Sequence, residues 1–392
     1  MSAAQEISAD LQQLTTPAAL VERSVVVENC RRMQARARGL GVRLRPHAKT
    51  HKCVEAARLQ VAGGFDGLTV STLAEARHFA AAGFDDLLWA LPLDPGRLPE
   101  VLELSEGLRN FHLLVDHPAV VAEAQKAAAA REVRLSLWLK VDTGYHRCGI
   151  DPEAEESLAL AKRLAAHPAI SFAGLLSHGG DAYDAADRSA AAAAGRREAR
   201  ALSQFADRLR GAGVEIPDLS VGSTPGLSSL SVEHPSSGPA APWASISEIR
   251  PGNYVFYDCY QSAIGVCRLG DVALSVLATV IGCYPHRRQL VVNAGALALS
   301  KDEGPQHVDS NCGYGEVQSP QGAPLDGLRL VSLSQEHGVI RTDSSSQAAA
   351  FPPGSRVRIL PNHSCLTAAL FDRYHVLDEG RVVEEWKPVR GW

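Results

Sequence analysis

In the stretch Gly41-Val42-Arg43-Leu44-Arg45-Pro46-His47-Ala48-Lys49-Thr50-His51-Lys52, a short strand-like run ends in a loop crowded with basic side chains. Lys49 stands in that loop. An amine among other cationic groups is a candidate Schiff-base lysine, because neighbouring positive charge lowers a lysine pKa and raises its nucleophilicity. A solvated basic loop is the other reading of such a run. The rest of the chain decides between them.

Working outward, strand-like and helix-like segments alternate. Residues 17–21 read as an opening strand, followed by a helix to about residue 39. After the Lys49 loop, residues 53–62 read as a helix and 67–70 as a strand. Ser71 is a candidate cap for a helix running to Ala82. Strands are then predicted at 86–90, 111–115, 134–141, 170–175 and 219–221, with alanine-rich helices at 119–130, 154–166 and 188–210 between them. Repeated strand-then-helix units imply parallel strands with helices outside, and a number near eight favours a closed barrel. No G-x-G-x-x-G follows the first strand, which removes the sequence argument for a dinucleotide fold. Residues 230–245, rich in serine and proline, read as a loop.

Near residue 265 the texture changes. Residues 272–280, 289–293, 329–333 and 355–360 are strand-like, separated by glycine, proline and polar turns, and long helices are scarce. The division expected is a barrel over 16–267 and a mostly β domain over 268–392, to which residues 1–15 could add a strand.

The chain has 392 residues, 45% apolar, with formal net charge -5. That length suits about two domains. The mild acidity gives no case for a nucleic-acid or anionic membrane surface. No run approaches the roughly 20 apolar residues of a membrane span. The first residues lack a basic region followed by an apolar run, so no secretory signal is read. The eight cysteines are scattered, without tight C-x-x-C pairs. Free thiols in a reducing compartment, and hence a cytoplasmic protein, are the expectation.

Three polar clusters fall at C-terminal ends of predicted barrel strands, where barrel enzymes place their sites. They are Lys49 with His47 and His51, Asp142-Thr143-Gly144-Tyr145-His146-Arg147, and Ser220-Val221-Gly222-Ser223-Thr224-Pro225-Gly226. Successive amides and hydroxyls in such a Gly-Ser-Thr turn can cradle a phosphate. Phosphate beside an activated lysine suggests pyridoxal phosphate. His178 and Tyr183, in Ser177-His178-Gly179-Gly180-Asp181-Ala182-Tyr183, could touch its ring, or could be a satisfied histidine and a packed tyrosine. Tyr254 and Tyr257 follow the turn, and a tyrosine hydroxyl there could donate to phosphate. In His363-Ser364-Cys365, residues two apart in an extended segment share a side, so imidazole and thiolate could converge on one ion. Nitrogen and sulfur ligands suit zinc, with water or substrate completing the shell.

Pro46-His47-Ala48-Lys49-Thr50-His51-Lys52, Gly222-Ser223-Thr224-Pro225, Pro251-Gly252-Asn253-Tyr254-Val255-Phe256-Tyr257-Asp258 and Pro361-Asn362-His363-Ser364-Cys365 together resemble the D-serine dehydratase and D-threonine aldolase family. These are metal-dependent fold-type III pyridoxal phosphate enzymes related to alanine racemase in architecture, and the resemblance runs from about residue 16 to Trp392. It implies an α/β fold, a (β/α)8 barrel with a C-terminal β domain. It implies that Lys49 forms the Schiff base and that Gly222, Ser223, Thr224 and Tyr254 hold phosphate. Tyr183 resembles a tyrosine near the pyridine ring, and Arg147 the arginine that approaches the ring hydroxyl. His363 and Cys365 resemble the metal pair, for zinc, with manganese, cobalt or nickel able to substitute. Aldolases of the family have aspartate at the second of these positions, so Cys365 points to a dehydratase. So do Val70-Ser71-Thr72-Leu73-Ala74-Glu75-Ala76 and the segment from Ala294 to Asp302. A homodimer is expected, since relatives of this fold class build sites near a dimer interface.

The activity expected is D-serine dehydratase, a β-elimination of a D-β-hydroxy amino acid to a 2-oxo acid and ammonia. The alternatives are D-threo-3-hydroxyaspartate dehydratase, giving oxaloacetate and ammonia, and D-threonine aldolase, giving glycine and acetaldehyde. Of a different class is a non-catalytic pyridoxal phosphate-binding homeostasis protein.

Overall fold

A computed structural model describes residues 8–230 and 243–392. The predicted loop over 230–245 lies almost wholly outside the described residues. The chain forms two compact units, one of residues 1–30 and 253–388, the other of residues 31–252 and 389–392. This division differs from one at 267/268, and strand pairing is the reason. The first strand, β1 (Ala18–Glu22), lies antiparallel to a strand near residue 275 and parallel to one near residue 376. It therefore belongs to the β unit and not to the barrel. The residues just before it form a helix, Ala9–Gln13, with Ser8 at its cap, where an added strand was expected.

The parallel unit holds β2 (Arg43–Leu44), β3 (Leu68–Val70), β4 (Asp86–Pro92), β5 (Asn110–Val115), β6 (Leu135–Lys140), β7 (Ile170–Leu176), β8 (Asp218–Val221) and β9 (Glu248–Ile249). They are ordered β2-β9-β8-β7-β6-β5-β4-β3 in one curled sheet. Helices cover it, which is why the strands read as apolar runs: Leu87, Leu88, Leu113, Leu137, Leu139 and Leu175 are all fully buried. The two ends of the sheet meet at a single bridge between His47 and Thr69. The Thr69 amide donates to the Pro46 carbonyl (2.9 Å) and its hydroxyl to the Arg45 carbonyl (3.0 Å). Arg45 pairs with both Asp86 and Glu248, tying β2 to β4 and β9. The ring thus closes immediately before Lys49. Thr72, rather than Ser71, caps the helix Leu73–Ala81, accepting from the Glu75 amide at 3.1 Å.

In the β unit, β10 (Leu274–Tyr284), β11 (Gln289–Val292), β12 (Gly315–Gln318), β13 (Pro324–Leu333), β14 (Gly338–Thr342) and β15 (Arg356–Pro361) close on themselves, because β10 pairs with both β11 and β15. β1, β16 (Tyr374–Asp378) and β17 (Arg381–Trp386) extend that sheet. Val276, Val280, Leu290, Val292, Leu330, Ile340, Val357 and Ile359 fill the interior. Leu277, on the opposite face of β10, packs with Leu11, Ala18, Leu20 and Leu377. Burial on both faces explains the continuous apolar run of this strand. Each such side chain contributes about 1.5–3 kcal/mol. Among the described residues, no helix is long and apolar enough to cross a membrane. The eight cysteines, all among the described residues, form no disulfide.

Candidate active site

Lys49 sits in a 3₁₀ turn, Ala48–Thr50, whose flanking Ala48 and Thr50 are buried while Lys49 is half-buried. His47 caps that turn: its Nδ1 accepts the Lys49 backbone N–H at 3.3 Å. Lys52 has a left-handed backbone (φ 54°), and its Nζ lies 2.9 Å from the buried Glu75 carboxylate. The loop is thus held on both sides of Lys49.

The charges next to Lys49 in sequence are not the ones that surround it. His51 is fully buried, bonded to Gln60 Oε1 (2.9 Å) and to the Cys53 amide (3.1 Å), and burial pushes its pKa down to about 4. Burial, with Lys49, Arg250 and His178 nearby, likewise holds His47 well below the usual histidine value. Lys52 is paired with Glu75, and Arg45 with Asp86 and Glu248. Both histidines are neutral at pH 7. The cations that matter come from other strands.

Lys140 ends β6, is 4% exposed, and lines a small pocket with Asp142, Tyr145, Arg147, Cys148 and His178. Burial, then Arg250, lowers its pKa to about 8. Asp142 shapes the following loop by accepting from the Gly144 amide (2.9 Å), the His146 amide (3.0 Å) and the His146 ring (3.0 Å). Arg147 stacks on Tyr145 at 5.4 Å, and the Tyr145 ring meets His178 edge-on at 6.2 Å. A Cβ on Gly180 would sit 2.4 Å from the Tyr145 ring, so a side chain there would push that ring aside. Burial and the charges of Lys49, Lys140 and Arg147 keep His178 neutral. Its Nδ1 therefore donates to the Gly222 carbonyl.

Gly222 is fixed from both sides, since its amide donates to Glu198 Oε1 at 3.1 Å. Its amide is thus already engaged, and a Cβ on it would lie 3.2 Å from the Arg250 backbone. Ser223 Oγ is buried without a partner among the described residues, and Thr224 is buried beside it. The turn Gly180–Asp184, carrying Tyr183, packs against the helix Thr224–Ser229. Glu198 also accepts from Ser177 Oγ (2.7 Å). Arg250, fully buried, donates to Ser220 Oγ and the Ser177 carbonyl, and burial lowers its pKa to about 10, still cationic. An orphaned buried hydroxyl, a close-approach glycine and the buried cations Lys140 and Arg250 fit pyridoxal phosphate. Glu198, Lys140 and Arg250 were not read from the sequence. Lys140 and Arg250 stand at strand ends, and Glu198 lies inside the helix Arg188–Gly211.

In the β unit, Tyr254 is fully buried within the 3₁₀ turn Asn253–Val255. His363 follows β15 in extended backbone (φ -136°, ψ 98°), and Cys365 lies in the helix Ser364–Ala368 that begins there. The two side chains meet at a helix start rather than along an extended segment. Asp302 Oδ2 lies 3.0 Å from His363 Nδ1. Burial alone would lower the His363 pKa, and Asp302 with Cys365 raise it above the usual value instead. Among the described residues no three His, Cys, Asp or Glu side chains converge as a metal cluster. The protein offers an imidazole–thiol pair with a carboxylate on the imidazole's Nδ1. That donor set suits a soft divalent ion with open positions, the carboxylate fixing the ring tautomer. Asp302 gave no signal of this part in the sequence.

The alanine racemase N-terminal domain family matches residues 21–258, and a serine dehydratase domain family matches residues 273–377. The chain is 39% identical over 388 residues to a D-threo-3-hydroxyaspartate dehydratase of Delftia sp., covering 97% of this chain and 99% of that protein. It is 34% identical to a D-serine dehydratase of Dictyostelium discoideum, covering 98% of each. Among solved structures, a cysteine-to-alanine variant of D-threo-3-hydroxyaspartate dehydratase in the metal-free form aligns with TM-score 0.91 and 37% identity, over 99% of this chain and 100% of that one.

Proposed function

The chain belongs to the fold-type III pyridoxal phosphate enzymes of alanine racemase type, as a lyase of the dehydratase and aldolase group acting on D-amino acids, and we propose that its reaction is the dehydration of D-threo-3-hydroxyaspartate to oxaloacetate and ammonia. The observation that carries the choice of substrate is the 39% identity to the dehydratase of that dicarboxylate, against 34% to the D-serine enzyme, each over nearly the whole chain. The cationic strand ends agree with it, since Lys140, Arg147 and Arg250 favour an anionic ligand. D-Serine, the substrate first expected, is the second reading.

Pyridoxal phosphate, when bound, supplies an electron sink for charge developing at the substrate Cα, and a divalent metal supplies Lewis acidity toward the β-hydroxyl. The rest is done by the chain. Lys49 is the amine that anchors the cofactor, and its free amine then takes the Cα proton as general base. His47, its Nδ1 occupied by the Lys49 amide, holds the backbone of that lysine in place. Ser223 and Thr224 receive the phosphate, while His178 and Glu198 fix the shape of the turn through both backbone groups of Gly222. Arg147, with Tyr145 beneath it, would approach the ring hydroxyl, and Tyr183 would stand by the ring. His363 and Cys365 hold the metal, for which zinc is the fitting ion. Asp302 keeps the imidazole proton on Nδ1, leaving Nε2 as the donor.

The test is a product assay on protein loaded with pyridoxal phosphate and zinc. It is offered D-threo-3-hydroxyaspartate, D-serine and D-threonine. Oxaloacetate and ammonia, with the highest kcat/KM for the dicarboxylate, is the expected result. A higher kcat/KM for D-serine would establish the second reading. Glycine and acetaldehyde from D-threonine as the main products would place the chain with the aldolases.

A further inference from the structure

We infer that Asn253 is a positioning residue of the metal pair, its side-chain amide donating to the sulfur of Cys365 and presenting that sulfur to a divalent cation. This rests on the reading of His363 and Cys365 as ligands. Asn253 is 4% exposed. Its carbonyl accepts from the Phe256 amide (3.0 Å) and the Tyr257 amide (2.8 Å), so its backbone is fixed. Its Nδ2 lies 2.7 Å from Asp258 Oδ2, 3.0 Å from Ser364 Oγ and 3.6 Å from Cys365 Sγ. Asp258 also accepts the Ser364 amide at 3.1 Å, so the start of the helix that carries Cys365 hangs on Asp258 and Asn253 together.

Chemistry decides which way the amide faces. Asp258 already accepts from the Gln261 and Ser364 amides. A flipped Asn253 would set its oxygen against that carboxylate, so the nitrogen must face Asp258. The same nitrogen is the one nearest the sulfur. An N–H donor to a thiolate draws charge from it and fixes its direction. Asn253 Oδ1, in contrast, is buried without a partner among the described residues. A buried orphan acceptor costs about 1–3 kcal/mol, so a water or a substrate hydroxyl is the donor it calls for. Asp302 on the imidazole and Asn253 on the thiolate thus give each ligand one orienting partner.

The experiment uses cofactor-loaded full-length protein, with Co2+ as probe. Affinity is read by chelator competition, and the sulfur contact by the thiolate-to-cobalt charge-transfer absorbance. Asn253→Leu removes every polar atom at similar volume. Asn253→Ser keeps a hydroxyl for Asp258 that is too short for the sulfur, and serves should the leucine variant fail to fold. Binding about 10–100-fold weaker, with the charge-transfer band at lower energy and the cofactor's visible absorbance unchanged, is the expected result. Wild-type affinity and an unshifted band in Asn253→Ser would overturn the inference. No charge-transfer band in the wild-type protein, or wild-type affinity in Cys365→Ser, would instead remove the metal reading itself and this inference with it.

Discussion

Lys49 has two kinds of neighbour, and they act differently. His47 and the Lys52–Glu75 pair hold its backbone, whereas Lys140, Arg147 and Arg250 act with it on the two histidines beside it, His178 and His47. On the proposed mechanism, Lys49→Ala removes the cofactor's covalent anchor and the base. Loss of the visible absorbance and a fall in kcat of at least about 10²–10⁴-fold are expected, read by spectrum and steady-state rates. Lys140 is a buried ammonium with a pKa near 8, against an ordinary value of 10.5. Folding disfavours its charged form, so the penalty is full below pH 8 and fades as pH rises from there past 10. Lys140→Met should therefore stabilise the cofactor-free protein at neutral pH, on the order of 1–3 kcal/mol, and less at pH 10. Urea melts at the two pH values check this, and equal gains at both would contradict it. The same variant should weaken binding of the anionic substrate.

At the scale of elements, the closure of the parallel sheet beside His47 rests on Arg45, 6% exposed between Asp86 and Glu248. Arg45→Met leaves two buried carboxylates without their cation, at a cost of about 3–5 kcal/mol in denaturant melts. Burial pushes the Glu248 carboxyl up, but Arg45, the Ser220 hydroxyl and Arg250 outweigh burial and hold it below the usual value. Asp86 is likewise held low, by His112 and Arg45 against burial. Depressed carboxylates contribute stability that is complete at neutral pH and lost as pH falls through their folded-state values. Arg45→Met should flatten that acid limb of the stability profile. In the β unit, Leu330→Ala opens a cavity in a fully buried core and should cost about 2–5 kcal/mol. Most elements were legible in the sequence for plain reasons. Strands covered on both faces read as apolar runs, and Gly83 and Pro118 bracket helices where they stand. The two-residue strands β2 and β9 were not equally legible: β2 was read through Gly41 to Arg45, while β9 gave no signal. A two-residue strand has no period to detect, and only its neighbours make it a strand.

On the scale of the whole molecule, Lys49 and the His363–Cys365 pair, proposed to hold the metal, belong to different units of the chain. Chelation should therefore abolish elimination while leaving the cofactor's visible absorbance in place. Loss of that absorbance on chelation would show that the cofactor depends on the metal. The sequence by itself determined the alternation of strands and helices, the change to a β domain, the lysine loop, the Gly-Ser-Thr turn and the imidazole–thiol pair, because each is local and carried by residue type and spacing. Tertiary structure alone decided that β1 joins the β unit, since a strand's partners are chosen by the sheet that buries it. It alone decided which charges face Lys49. His51 is buried away from charge, and Lys140 and Arg250, from β6 and the end of β9, come to act on the same histidines as Lys49, His178 and His47. Coulomb interaction depends on distance through space, and residues about 90 and 200 positions away along the chain become neighbours only when the parallel sheet curls.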